Sequence, residues 1–279
     1  MKHFLIGLLT LVALVSAFLW WREKRVQTLR WMVYYGPPET DLKGADLVIL
    51  QPGGGALPVN GKKSKPIFIS YLSVGEAEES RGYWPEVDGK AFVLGENPVW
   101  KGAHRDDIRS GDWQALLLDR VIPAILAQGF DGLFLDTIET PIYLENLDPE
   151  TYRGSKQALI QFVRKIKERY PKILLIPNNG LEFLESYGEL LFGVAAEDLY
   201  THYDFEKKVS TQTPTEISLQ KEKQLDLFRQ KTGKPVFNIL YEASPQTSLA
   251  QYAIQRSKSK GYQWYLATVD LTKIGTLQK

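Results

Sequence analysis

Along most of this chain, short runs rich in β-branched and aromatic residues alternate with longer stretches in which apolar residues recur at helical spacing. The short runs predict strands at Trp31–Tyr35, Asp46–Leu50, Pro66–Leu72, Gly132–Asp136, Lys172–Ile176, Leu191–Ala195, Pro235–Leu240 and Trp264–Thr268. Amphipathic helices are predicted at Trp113–Gln128, Lys156–Tyr170, Ser218–Lys231 and Thr247–Lys260, each between two of those strands. Nearly continuous apolar strands joined by helices mark a parallel sheet covered on both faces. Eight of them predict closure into an α/β fold, a (β/α)8 TIM-type barrel, as a single domain over residues 30–279. Between Asp46 and Pro66 there is no helical pattern, only the turn-rich Pro52-Gly53-Gly54-Gly55, and a doubly wound sheet stays open as the alternative there. About 40 residues, Ser73–Asp112, follow the third strand as a long loop without a long helix, and ordered loops of that length usually carry function.

The start of the chain breaks the pattern. Lys2 precedes an apolar run from Phe4 to Trp21 with small residues at Val15, Ser16 and Ala17, which predicts a signal peptide or N-terminal membrane anchor over residues 1–25. Export to the periplasm or outside the cell is the expected outcome. The basic cluster Arg22, Lys24 and Arg25 favours the opposite orientation if the segment stays uncleaved.

The remainder has the composition of a globular protein with a large core, 44% hydrophobic and 24% charged. A net charge of +1, from 34 basic and 33 acidic residues spread along the chain, leaves no footprint for nucleic acid. With no cysteine there are no disulfides, thiolate nucleophiles or cysteine zinc sites. The three histidines, His3, His104 and His202, make a histidine-built metal centre improbable, and no EF-hand, Walker A or GxSxG pattern occurs. No cofactor and no metal are expected, and a monomer is.

In a β/α barrel the active site is built from residues just past the carboxyl ends of the strands. Leu133-Phe134-Leu135 runs into Asp136, and an unpaired charge buried in the barrel would cost several kcal/mol, so Asp136 is expected at the mouth. Phe192-Gly193-Val194-Ala195-Ala196 runs likewise into Glu197. Two carboxyls from separate strands, one protonated and one ionised, suffice for glycosidic hydrolysis, and Asp136 and Glu197 are the candidate catalytic pair. Glu76, Glu139 and Glu242, at other strand ends, compete for the second role. Tyr71, Ser73, Glu76, Arg81, Trp84, Glu139, Asn178, Asn179 and Tyr200 are candidate substrate-binding residues. The amides are suited to sugar hydroxyls, the aromatic rings to sugar faces and Arg81 to positioning a carboxylate. Asn-Gly is also simply a favoured turn, and a loop tryptophan as readily plugs a barrel end. Trp100, Tyr143 and Tyr203 extend the aromatic set.

Tyr71-Leu72-Ser73-Val74-Gly75-Glu76-Ala77-Glu78, Arg81, Tyr83-Trp84, Gly95-Glu96-Asn97-Pro98, Trp100, Gly129-Phe130-Asp131-Gly132 and Leu135-Asp136 together resemble the endo-α-1,4-polygalactosaminidase-type glycoside hydrolases, the family 114 type of β/α barrel. The similarity spans roughly Trp31 to Tyr203, and the combination is far more specific than any one motif. It implies hydrolysis of a polysaccharide rich in α-1,4-linked galactosamine, with Asp136 and Glu197 as catalysts. Glu139 stands where this branch often has aspartate, and Asn178 where glutamine is common. The alternative is a noncatalytic glycan-binding or polysaccharide-export accessory barrel that only holds a cationic sugar chain.

Overall fold

The structure is a computed structural model that describes residues 28–37, 41–42, 44–53, 57 and 66–278. The predicted leader, and most of the turn-rich segment before Pro66, lie outside the described residues. Each of the eight predicted strands forms: β1 (Trp31–Tyr34), β2 (Leu47–Leu50), β3 (Ile67–Ser73), β7 (Gly132–Asp136), β8 (Leu174–Pro177), β9 (Val194–Ala196), β12 (Val236–Tyr241) and β13 (Gln263–Ala267). All neighbours in this series pair in parallel, as β1-β2-β3-β7-β8 in one arc and β9-β12-β13 in a second. A single bridge between Asn178 and Ala195 joins the arcs, supported by Phe192 N donating to Leu175 O at 2.8 Å. At the opposite seam, the free edge of β13 carries the short antiparallel β14 (Thr276–Leu277). There β1 approaches through side chains, with Trp31 Nε1 donating to Gln263 O at 3.2 Å and the Trp31 and Tyr265 rings 5.8 Å apart. Among the described residues no strand ladder joins β1 to β13, and side chains bridge that seam.

Helices cover the barrel as the periodicity predicts. On the helix Ser155–Arg169 the buried Leu159, Phe162, Val163 and Ile166 recur at i, i+3, i+4 and i+7, each burial contributing about 1.5 to 3 kcal/mol. The predicted helix Trp113–Gln128 is interrupted. It runs as Gly111–Leu116, a π-helical turn Leu117–Val121, and Ile122–Ala127. Pro123, in the first turn of the last piece, has no N–H to continue an α-helical ladder, which accounts for the break. Gly132 lets β7 and β8 approach: a Cβ there would stand 2.2 Å from Leu174 O.

The long loop after β3 is not irregular. It holds a three-stranded antiparallel sheet of β4 (Glu76–Glu78), β5 (Val93–Glu96) and β6 (Ala103–Asp106), in the order β4-β6-β5, and a short helix, Trp84–Val87. A hairpin of β10 (Thr201–Asp204) and β11 (Val209–Gln212) follows β9.

Candidate active site

Period-2 alternation decides which side chains reach the mouth. Tyr71 and Ser73 share one face of β3, and Phe134 and Asp136 one face of β7, while Leu72, Leu133 and Leu135 point the other way into the buried layer. The inward set borders a cavity of about 830 Å³ at the carboxyl end of the barrel, in the range that encloses a small ligand.

The chain bends sharply at each acid. Thr137 follows Asp136 at φ 57°, a left-handed conformation that a β-branched residue rarely adopts and that costs of order 1 to 3 kcal/mol. Its hydroxyl accepts from Val74 N at 3.1 Å and Gly75 N at 2.8 Å, which holds the strained turn against the loop after β3. A Cβ on Gly75 would stand 2.4 Å from Thr137 O, so only glycine permits this approach. After β8, Asn179 and Gly180 both take positive φ, 58° and 59°, and the turn presents two amides. Asn178 Nδ2 donates to Asp136 Oδ1 at 2.9 Å. Asn179 Nδ2 donates to Glu139 Oε2 at 3.1 Å, and its Oδ1 accepts from Glu197 N at 3.1 Å. Two adjacent asparagines thus tie together the ends of β7, β8 and β9.

Asp136 and Glu197 face one cavity, and their partners are neutral. Burial raises the Asp136 pKa, while bonds from Asn178, the Thr137 backbone and Tyr71 favour its charged form. Burial also raises Glu197, but there the Asp136 charge adds to the effect and outweighs the bond from Tyr241 Oη, which donates to Oε1 at 2.7 Å; Glu197 is pushed up to about 8. Like charges in one site cannot both ionise readily, and because the Asp136 charge raises Glu197, Glu197 holds its proton more tightly than Asp136 does. Burial raises Glu139 as well, against the charge of Lys221.

Of the substrate-binding residues expected from sequence, Tyr71, Ser73, Glu76, Glu139, Asn178 and Asn179 line this cavity with the two acids. Glu76 is held by Asn97 Nδ2 at 3.0 Å and Thr140 Oγ1 at 3.0 Å. Three of the expected residues do not line it. Arg81 stands behind the wall, bonded to Glu78 at 2.5 Å and Gln51 at 2.6 Å, with its guanidinium over the Tyr71 ring. Trp84 stacks on His104, centroids 4.7 Å apart, on the outer sheet. Tyr200 is fully buried: beyond Asp198, at φ 51°, the chain turns under the helix Thr215–Thr232, and the Tyr200 hydroxyl donates to Glu222 Oε1 at 2.9 Å. Glu222 also pairs with Arg256 and Lys260, so this region is a structural ion network. Glu242 bonds its own neighbour, Ala243 N, at 2.7 Å. Sequence reasoning missed Tyr35 and Tyr241, which line the cavity but sit at the ends of apolar strands where they read as core. It also missed Asn97 and Thr140, the holders of Glu76; Asn97 lay in view within the Gly-Glu-Asn-Pro motif.

The charge of the lining is one-sided. Glu76, Glu78, Glu79, Asp136, Glu139, Glu197 and Asp270 border the cavity, and among the described residues Lys101 is the one basic side chain on it. A barrel whose strand ends bring two carboxyls of unequal proton affinity to one cavity fits the class of carboxylate glycoside hydrolases. The chain is a member of glycoside-hydrolase family GH114, whose sequence profile matches residues 16–279. It is 30% identical to an uncharacterized protein of Deinococcus radiodurans over 218 residues, 74% of this chain and 66% of that one. It is likewise 30% identical to the uncharacterized protein MJ1477 of Methanocaldococcus jannaschii over 228 residues, 75% of this chain and 63% of that one. The chain thus spans about two thirds of the length of these relatives. In fold it is similar to the glycoside hydrolase domain of PelA from Pseudomonas aeruginosa, with a TM-score of 0.71, 23% identity, and coverage of 88% of this chain and 97% of that domain. It is also similar to Aspergillus fumigatus Ega3, solved in complex with galactosamine, with a TM-score of 0.67, 15% identity, and coverage of 90% and 95%. Among the described residues no helix is long and apolar enough to cross a membrane.

Proposed function

We propose that this glycoside hydrolase cleaves a polymer containing α-1,4-linked galactosamine, with Glu197 as proton donor and Asp136 as nucleophile. The observation that carries the reading is the unequal pair bordering one cavity: Asp136, whose carboxylate accepts from Asn178 at 2.9 Å, and Glu197, whose proton affinity is raised by burial and by the Asp136 charge. Both carboxyls border one cavity, and the direct-attack route requires them about 5 Å apart, too close for an interposed water. Glu197 protonates the glycosidic oxygen as Asp136 attacks the anomeric carbon from the other face. The glycosyl ester is then opened by water that Glu197, now ionised, deprotonates, so the donor recovers its proton and the sugar keeps its configuration.

The preference for an amino sugar rests on the acidic lining, which attracts ammonium groups and carries one counterbalancing lysine. Export, read from the leader, would place the enzyme where such polymers accumulate. The test is release of reducing ends from partly deacetylated galactosaminan, beside neutral and acidic polysaccharides, at low and high salt. The reading requires cleavage of the cationic polymer with a KM that rises with salt. A protein that binds the polymer yet releases no reducing ends on long incubation is an accessory glycan-binding barrel instead.

A further inference from the structure

Three aromatic side chains, running outward from Trp100 at the rim of the cavity, take no part in the chemistry above. Trp100 lies on the turn between β5 and β6 and is 52% exposed, and Phe205 lies just past β10 and is 45% exposed. Their ring centroids are 5.3 Å apart at 81°, and Tyr203 continues the row, 5.1 Å from Phe205 at 82°. Val99 and Val209 flank them, also exposed. So much aromatic and apolar surface left in water on one side of a cleft marks a binding surface. We propose that this row is a platform on which pyranose rings of the same amino-sugar polymer stack, beyond the residues held at the point of cleavage. The inference rests on the glycosidase reading and adds a second grip on the chain.

Three observations carry it. The platform is continuous with the site, because Trp100 borders the cavity. It is also built to a fixed position: Asn97 Oδ1 accepts from Val99 N at 2.9 Å and Trp100 N at 3.3 Å, while Asn97 Nδ2 donates to Glu76, an acid of the cavity wall. Finally, its two halves come from separate loops, the insertion after β3 and the hairpin after β9, whose strand ends carry Glu76 and Glu197. The chemistry fits one occupant. Aromatic faces attract the C–H face of a sugar ring and also an ammonium group, and the acids beside them attract the same cation. An apolar protein partner would match the rings but not the acidic cavity onto which they open.

The test compares Phe205→Ala and Trp100→Ala on polymeric galactosaminan and on the shortest galactosamine oligomer that the native enzyme cleaves. On the polymer, kcat/KM is expected to fall about ten- to thirtyfold, chiefly through KM, and at least tenfold more than on the oligomer. Trp100→Phe and Phe205→Tyr, which keep a ring face, are expected to recover most of the loss. Equal losses on both substrates would mean that the rings only shape the mouth, and no loss on either that they touch nothing; both overturn the platform. A native enzyme that cuts neither substrate overturns the proposed activity instead. The platform is then judged on polymer binding alone, where Phe205→Ala must weaken affinity at least tenfold or the proposal fails.

Discussion

Replacing Glu197 with glutamine is expected to remove activity and stabilise the fold in the same step. The glutamine keeps the shape of the side chain and still accepts from the Tyr241 hydroxyl, 2.7 Å away in the native protein. It loses the transferable proton and the buried charge. Burial first, and then the charge on Asp136, push Glu197 from an ordinary 4.5 up to about 8. That change in proton affinity corresponds to about 5 kcal/mol, at 1.36 kcal/mol for each factor of ten. The open mouth screens the larger part, leaving about 1 to 3 kcal/mol. Because this pKa is raised on folding, the native state keeps a proton that the unfolded chain gives up above pH 4.5 or so. Native stability therefore falls as pH rises from there to about 8 and is level beyond. The variant escapes that fall. Its Tm should match the native value near pH 4.5 and exceed it by about 2 to 10 °C at pH 8, since 1 kcal/mol moves the midpoint of a domain this size by about 2 to 4 °C. At the same time kcat/KM should drop about 10² to 10⁴-fold. Scanning calorimetry across pH, paired with a reducing-end assay, reads both. A Tm difference equal at pH 5 and pH 8, or a variant that cuts at the native rate, would refute the reasoning.

Further outcomes follow from the same geometry. Tyr241→Phe removes a bond that favours the charged form of Glu197, so the alkaline limb of kcat/KM should move up from about 8 by about one pH unit; a limb that stays or moves down means another group is the donor. Gly75→Ala places a Cβ 2.4 Å from Thr137 O and should cost about 2 to 4 kcal/mol in urea unfolding along with most activity, whereas Gly82→Ala, with nothing within 4 Å, should be near neutral. Tyr200→Phe should cost about 1 to 3 kcal/mol through Glu222 and leave KM unchanged, and a large rise in KM would mean that the tyrosine reaches substrate after all.

The strands were legible because each is an apolar run bounded by turn residues, and burial on both faces of a parallel sheet demands that pattern. The placement of Asp136 and Glu197 at the cavity was legible for the converse reason, since a carboxylate that ends such a run has to leave the core. What alternation hides is the identity of inward-facing residues that are themselves apolar in body. Tyr241 looks like one more core residue of β12, and only its register shows that its hydroxyl, rather than Glu242, meets Glu197. Tyr200 was misplaced because the left-handed turn at Asp198 redirects the chain, and an aspartate in that conformation has no distinctive sequence pattern. The small sheet inside the long loop went unseen because its strands, such as Glu76–Glu78 and Ala103–Asp106, are three or four residues long and largely charged. Tertiary contacts make them strands.

The central claim is that Asp136 attacks the anomeric carbon while Glu197 supplies the proton, and covalent trapping tests it most directly. Incubation with an activated 5-fluoro-galactosaminyl fluoride, followed by intact-mass measurement and peptide mapping, should find one sugar per chain, on the peptide that contains Asp136. The Asp136→Asn protein should carry none. A sugar attached to any other carboxylate, or steady turnover that releases the inverted anomer and leaves no adduct, would contradict the account.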